Sequence, residues 1–356
     1  MPAEIARRED FVTADDGFIS VEVLTGPNWS VYSLDKKGAL FVEMPKPISS
    51  YSIEKCPFIY PHLFEDAIRV AEIDLKTYFK IGDELERDYK PPKCLFFTNT
   101  ARSASTLFGS MLHHEGHSTV ISEHPALSTI AYKFCQGYFS EKEVAELLNP
   151  TVKLLRKNFP GDHLLVFKTR STEAFLVPFL AKQFPEMQHI FMFRKNGLES
   201  VERMMSRGGS IFLVICYIYF YFPKFTTFFV SLIWETFREL KPKSHKEVAM
   251  IVYAEPYSNY KKNKDLYDFP IVWQDELIAT PEKVLAPIFD KLGIPASCLP
   301  SAFDRMNYDS QDGTYLSQKL LKAFSATEIT PELKEKILAY AKHFQMESSV
   351  LGFGDN

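Results

Sequence analysis

Short apolar runs alternate with amphipathic stretches along most of this chain. From residue 93 the rhythm is regular. The run Cys94–Phe97 has the length of a buried parallel strand, a loop of small polar residues follows, and the spacing then predicts a helix from Thr106 to about His114. The same strand–loop–helix order recurs over 164–183 and 189–207, and the apolar run Phe269–Trp273 precedes TPEKVLAPIFDKLGIP, an amphipathic helix opened by proline. Near the C-terminus, ITPELKEKILAYAKHF predicts a helix capped by Thr330 with Pro331 in its first turn. Such alternation implies an α/β fold with a central parallel sheet flanked by helices.

The first ninety residues have a different texture. Residues 17–45 alternate apolar and polar, with breakers at Gly26-Pro27-Asn28 and Lys36-Lys37-Gly38, which predicts two or three short strands of an antiparallel ribbon. Residues 60–90 read as helical and end in charge, from Asp83 to Lys90, ahead of Pro91-Pro92. The expected organisation is an N-terminal β-containing extension over 1–90 and an α/β domain over 91–356. The stretch 210–234 stands apart, because Ile211–Phe222 is twelve apolar or aromatic residues without a charge. Pro223-Lys224 splits it, short of the roughly 20 apolar residues that a membrane span needs. It reads as a buried or cleft-lining helical pair, with peripheral contact to a membrane or a greasy ligand as the alternative.

Composition narrows the function. Across 356 residues, 46% hydrophobic against 24% charged is the balance of a chain that buries a core, so disorder as the main state is excluded. A net charge of −4 gives no basic footprint, and nucleic acid is not expected as a general partner. The five cysteines form no C-x-x-C pair, so neither a zinc knuckle nor a disulfide framework is readable. The N-terminal residues are charged where a signal peptide needs an apolar run, and a reduced, cytoplasmic location is expected. His113, His114 and His117 do not follow the H-E-x-x-H order, and Gly116 interrupts them, so no metal site is expected.

Candidate chemistry gathers at CLFFTNTARSASTLF. A strand runs through the turn Arg102-Ser103-Ala104-Ser105-Thr106 into a helix, a geometry that aims backbone N–H groups at one anion. Hydroxyls at 103, 105 and 106 add donors, and Arg102 adds fixed charge. A Ser/Thr-rich helix cap without ligand explains the hydroxyls equally well. The nucleotide-triphosphatase pattern G-x-x-x-x-G-K-[ST] is absent.

These residues resemble the 5′-phosphosulfate loop of the sulfotransferase superfamily, commonly P-R-S-G-S-T-L-L, here ARSASTLF over 101–108 with Ala101 for Pro and Ala104 for Gly. The resemblance extends over roughly residues 93–320. It implies a P-loop-like three-layer fold that uses 3′-phosphoadenosine 5′-phosphosulfate (PAPS) and releases 3′-phosphoadenosine 5′-phosphate (PAP). Arg194, at the end of the strand in HIFMFRKNGLES, matches the arginine that holds the cofactor's 3′-phosphate. The serine usually found eight residues later is Glu202 here, and Ser200 is the nearest substitute. Lys168 matches the lysine of the cytosolic enzymes' K-T-H segment, but Arg170 stands where their basic histidine would be, and an arginine stays protonated.

Tyrosylprotein sulfotransferases instead use a glutamate at a fixed distance after the loop arginine, and Glu123 has that spacing from Arg102. A glutamate capping the next helix is the structural alternative. Their cofactor-side serine resembles Ser310. The resemblance thus implies Arg102, Glu123 and Lys168 as catalytic, and Arg102, Ser103, Ala104, Ser105, Thr106, Arg194, Ser200 and Ser310 as cofactor-binding. The acceptor would be a hydroxyl or amine of an apolar small-molecule or lipid-like compound, if 210–234 lines the cleft. Two alternatives stay open: a catalytically inactive nucleotide-binding protein of the same fold, and a kinase-like phosphotransferase, which would need Mg²⁺.

Overall fold

Two sheets organise the computed structural model, which describes residues 5–85, 90–206, 221, 234–311 and 328–353. The strands are β1 (Trp29–Leu34), β2 (Gly38–Glu43), β3 (Arg69–Asp74), β4 (Lys93–Asn99), β5 (Ser118–Ser122), β6 (Leu164–Lys168), β7 (Gln188–Phe193) and β8 (Val272–Trp273). The first three form an antiparallel sheet of order β1-β2-β3. The others form a parallel sheet of order β5-β6-β4-β7-β8. The helices are α1 (Ile59–Glu65), α2 (Leu75–Glu84), α3 (Ser105–Met111), α4 (Pro125–Cys135), α5 (Glu141–Arg156), α6 (Val177–Gln183), α7 (Leu198–Ser206), α8 (Trp234–Leu240), α9 (His245–Lys262), α10 (Gln274–Ala279), α11 (Pro281–Leu292), α12 (Leu299–Asp304) and α13 (Pro331–His343). The fold is α/β, with an antiparallel ribbon in the N-terminal region. The chain forms two compact units, 1–96 with 112–169 and 176–188, and 97–111 with 170–175 and 189–356.

In the first unit, Asp35 closes the β1–β2 hairpin by accepting the N–H groups of Lys37 and Gly38 at 2.6 and 3.0 Å. All six residues of β1 are buried, because α4 and α5 pack over it. Polar side chains of that layer reach its backbone and hydroxyl. Lys157 Nζ donates to the Trp29 carbonyl at 2.7 Å, and Lys133 Nζ donates to that of Leu34. His124 Nδ1 accepts the N–H of Ala126 at 3.3 Å, so its proton lies on Nε2, which faces Ser30 Oγ at 2.9 Å. Burial, together with the positive charge of Lys157, drives the His124 pKa down to about 3, and burial drives that of Lys157 down to about 7. On α2, Gly82 lies against Pro150 of α5, where a Cβ would come within 2.5 Å of the proline ring.

In the second unit, α9 is the central helix. Ser244 caps it by accepting the N–H of Glu247 at 3.2 Å. Its aromatic face packs on β7: the Tyr260 ring stacks on Phe191 at 4.6 Å, and Tyr253 and Tyr257 lie 4.8 and 4.7 Å from Phe193. Ile337, Tyr340 and Ala341 of α13 close the other side of that core. Lys246 meets Glu202 of α7 at 3.2 Å with both side chains fully buried. Such a pair is costly to break from one side, because the remaining charge is left uncompensated.

The structure departs from the sequence expectations in particular places. Residues 60–90 are not continuously helical. Arg69–Asp74 between α1 and α2 pairs antiparallel with β2 and supplies the third strand, and Asp74 then caps α2 by accepting the Thr77 N–H at 2.7 Å. That helical expectation is corrected because tertiary pairing outweighs local propensity here. Val21–Thr25 forms a 3₁₀ turn, not a strand. Strand β8 is only two residues long, following Pro270, which cannot donate to a ladder. The apolar stretch 210–234 lies outside the described residues except for Tyr221 and Trp234. No helix among the described residues is long and apolar enough to cross a membrane.

Arg102, Ala104 and Glu123 have left-handed backbone, at φ of 62°, 65° and 56°. For an L-residue that conformation costs about 1–2 kcal/mol. Ala104→Gly is therefore expected to stabilise the chain by up to about 1 kcal/mol, less glycine's added unfolded-state entropy, and Ala104→Val to destabilise it. Urea denaturation measures both. Burial also lowers the His189 pKa to about 4, partly offset by Asp268. His124 and His189 then bind protons more tightly when unfolded, so their contribution is complete above pH 6.5 and is lost as pH falls towards 3–4. Stability should fall by about 1.4 kcal/mol per pH unit for each histidine in that window. His124→Asn should flatten the slope in urea titrations between pH 7 and 5.

Candidate functional site

The second unit holds the turn that follows β4. The Thr100 N–H donates to the Met192 carbonyl of β7 at 3.3 Å, and its hydroxyl donates to the Tyr253 carbonyl at 3.2 Å. Ser103, fully buried, donates its hydroxyl back to the Thr100 carbonyl at 2.8 Å. Residues 102 and 104 both take a left-handed φ, and the Ser103 N–H between them donates to the Thr100 carbonyl at 3.4 Å. Ser105 and Thr106 are buried at the start of α3. Ala104, where the superfamily pattern has glycine, is held in the conformation glycine would supply.

Arg102 donates from Nη1 to Gln311 Oε1 at 2.6 Å, and Gln311 Nε2 donates to Thr106 Oγ1 at 3.2 Å. Its pKa is lowered, first by burial and then by the positive charge of Arg194, with Asp309 opposing. Two guanidinium groups therefore lie within electrostatic reach in this unit. Arg194 follows the last residue of β7, and its carbonyl accepts the Tyr253 hydroxyl at 2.6 Å, which in turn accepts the Gly197 N–H at 3.3 Å. A Cβ on Gly197 would stand 2.8 Å from the Tyr253 ring, so the turn needs glycine there. The Asn196 N–H donates to the Val350 carbonyl at 2.9 Å and fixes the same turn from the C-terminal side. Lys195 pairs with Asp275 and Glu276 at 3.6 and 3.7 Å, whereas Arg194 has no carboxylate partner among the described residues.

The remaining cofactor candidates are also in this unit. Ser200 is half-buried in the first turn of α7, with its N–H on the Gly197 carbonyl at 3.0 Å. Glu202, at the position where the superfamily has its serine, is directed into the pair with Lys246. Ser310 is half-buried between Asp309 and Gln311.

In the first unit, the other two catalytic candidates meet. Ser122 and Lys168 are register partners at the carboxyl ends of β5 and β6, the end of such strands where ligands bind. The Glu123 N–H donates to the Lys168 carbonyl at 2.7 Å, and Lys168 Nζ donates to Glu123 Oε1. The Lys168 side chain is 2% exposed and that of Glu123 13%, so the pair is largely buried. The face of Phe58 lies 5.5 Å from Nζ. The Ile53 N–H donates to the Val120 carbonyl of β5 at 2.8 Å, and Ser30 holds the neighbouring His124. The N-terminal region thus contacts this pair's surroundings at three points.

His113 Nε2 lies 3.6 Å from Glu54, and no group of three His, Cys, Asp or Glu able to hold a metal occurs among the described residues. Gln311, Tyr253 and Phe58 are not among the site residues that the sequence predicts. Gln311 directly follows Ser310 in the Asp309-Ser310-Gln311 triad, which was a usable signal, whereas Tyr253 and Phe58 belong to no motif.

No protein-family model and no curated protein matches the chain. Among solved structures, it is similar to the sulfotransferase domain from the curacin biosynthetic pathway, at 16% identity over 73% of this chain and 99% of that one, with a TM-score of 0.41. It is also similar to sulfotransferase STF9 from Mycobacterium avium, at 12% identity over 77% and 82%, TM-score 0.42. A third is mouse sulfotransferase SULT7A1 complexed with PAP, at 13% identity over 77% and 93%, TM-score 0.38.

Proposed function

We propose that this chain is a PAPS-dependent sulfotransferase that moves a sulfuryl group to a hydroxyl or amine of an apolar small-molecule or lipid-like acceptor. The observation that carries the reading is the loop 102–106, with two left-handed residues and buried hydroxyls, beside an Arg102–Arg194 pair of like charge. The charge of Arg194 disfavours the ionised form of Arg102, and a multiply charged anion would relieve that repulsion. A nucleotide with phosphates at both 3′ and 5′ positions fits that demand. Arg102 and the turn from Ser103 to Thr106 would hold its 5′ side. Arg194, with Ser200 or Ser310, would hold the 3′-phosphate.

When bound, PAPS would supply the sulfuryl group on an already activated leaving phosphate. The protein's part is then positioning and charge stabilisation, as in phosphoryl transfer. Lys168 and Arg102 would steady negative charge in the transition state, and Glu123 would accept the acceptor's proton. A second reading, nucleotide binding without turnover, is favoured by one observation: Glu123 commits one oxygen to Lys168. It predicts affinity for the nucleotide with no product across a broad acceptor panel.

Thermal-shift measurements with PAP, ATP and AMP test the binding step. PAP at 100 times its Kd should add about 2.7 kcal/mol, and preference for ATP, with a Mg²⁺ requirement, would favour the phosphotransferase instead. Arg194→Ala should weaken PAP binding by about 10- to 100-fold in titration calorimetry, and unchanged affinity would refute its role. Glu123→Gln should lower turnover on any acceptor found by about 10²–10⁴ with PAP affinity retained, and a variant as active as wild type would remove Glu123 as base.

A further inference from the structure

The carboxamide of Gln311 lies across the anion loop. It accepts from Arg102 Nη1 at 2.6 Å and donates to Thr106 Oγ1 at 3.2 Å, so it engages both side chains that the loop would offer a 5′-phosphate. Its delivery is structural. Helix α12 and the 3₁₀ turn Arg305–Asn307 pack on α3, and Asp309 Oδ1 then accepts the Gln311 N–H at 3.1 Å, which fixes the turn that aims the side chain. Asp309 adds a negative charge that Arg102 senses.

We propose that Gln311 is an affinity-setting residue of the loop, a displaceable carboxamide that competes with the 5′-phosphate of the nucleotide for Arg102 and Thr106. This rests on the nucleotide reading above. The chemistry favours exchange. An amide gives Arg102 a neutral acceptor, and a phosphate gives it a charged one, which makes the stronger hydrogen bond. Thr106 accepts from the amide through an oxygen lone pair, whereas a phosphate oxygen only accepts, so the hydroxyl would serve the anion through its O–H. The loop is thus open to phosphate only in the fraction of molecules whose Gln311 has moved, and the apparent Kd rises in inverse proportion to that fraction. A neutral carboxamide yields to a dianionic phosphate more readily than to a weakly charged or uncharged group, so the same contact selects for the ligand's charge.

Titration calorimetry with two probes tests this: PAP, and adenosine 3′-phosphate, which lacks the 5′-phosphate. Gln311→Ala should tighten PAP by about tenfold, the loss of one hydrogen bond to a charged group, and leave adenosine 3′-phosphate unchanged. Gln311→Asn, too short to span both groups, should also tighten PAP. Gln311→Glu, which adds a charge-assisted bond to Arg102, should weaken PAP by tenfold or more. Thermal melts of the free variants confirm folding, and Asn serves as the conservative variant if Ala does not fold. PAP affinity unchanged or weakened in both Ala and Asn would overturn the proposal and leave the nucleotide reading standing, with Gln311 then supporting the loop or touching the phosphate itself. Equal tightening of both probes would overturn it too, since competition at the 5′ position would not be the cause. If no form binds PAP, the nucleotide reading falls and this one falls with it. Binding by the Ala variant alone supports both.

Discussion

Like charges do not gather in a folded chain unless something forces them to, and Arg102 and Arg194 are forced. One guanidinium projects from a left-handed turn, while the other follows a strand whose exit is clamped by Tyr253 and Gly197. Burial removes the water that would screen Arg102, so Arg194's charge disfavours its ionised state. Asp309 and the carbonyl of Gln311 offset part of that repulsion. Arg194 has no carboxylate partner of its own among the described residues. Lys195, one position along, has two. A site that spent Arg194 on a surface carboxylate would have less to offer an anion.

The Glu123–Lys168 pair obeys a different constraint. Glu123 occupies a left-handed conformation that a β-carbon disfavours, and it persists because its N–H and its carboxylate are both held by Lys168. The surrounding shell is supplied from distant sequence. Phe58 presents its ring face to the ammonium, and Ser30 fixes the His124 imidazole one residue after the glutamate. His124 suits this task because it is neutral. A charged imidazole there would repel Lys157, and burial prevents it from ionising near neutral pH. The N-terminal ribbon, which the superfamily resemblance left unmatched, is in this sense part of the wall behind the glutamate.

What could be read from the sequence, and what could not, follows from range. The loop 101–106 was legible because its chemistry is local: a strand, a turn and a helix written in consecutive residues, with the hydroxyls where a turn can use them. The parallel sheet was legible from the repeated apolar runs. Strand β3 was not, since Arg69–Asp74 becomes a strand by pairing with β2, twenty-six residues or more away in register, and local propensity carries no information about that partner. Strand β5 escaped as well, because Ser118–Ser122 mixes small polar with β-branched residues and lacks a plain apolar run. Gln311 and Tyr253 matter through contacts 209 and 59 residues away, with Arg102 and Arg194 respectively, which only the fold can bring together.

The two departures from the superfamily pattern have different physical weight. Ala104 in place of glycine leaves the loop's shape intact and stores strain in it, since the backbone still takes the left-handed angle. Glu202 in place of serine is a change of chemistry, and a free carboxylate beside a phosphate site would oppose binding. Its ion pair with Lys246, both side chains fully buried, compensates that charge within the unit. The hydroxyl it replaces is nonetheless gone. On the proposed reading, Arg194 would carry more of a 3′-phosphate's charge than an arginine backed by serine, and among the described residues it has no carboxylate partner that would compete.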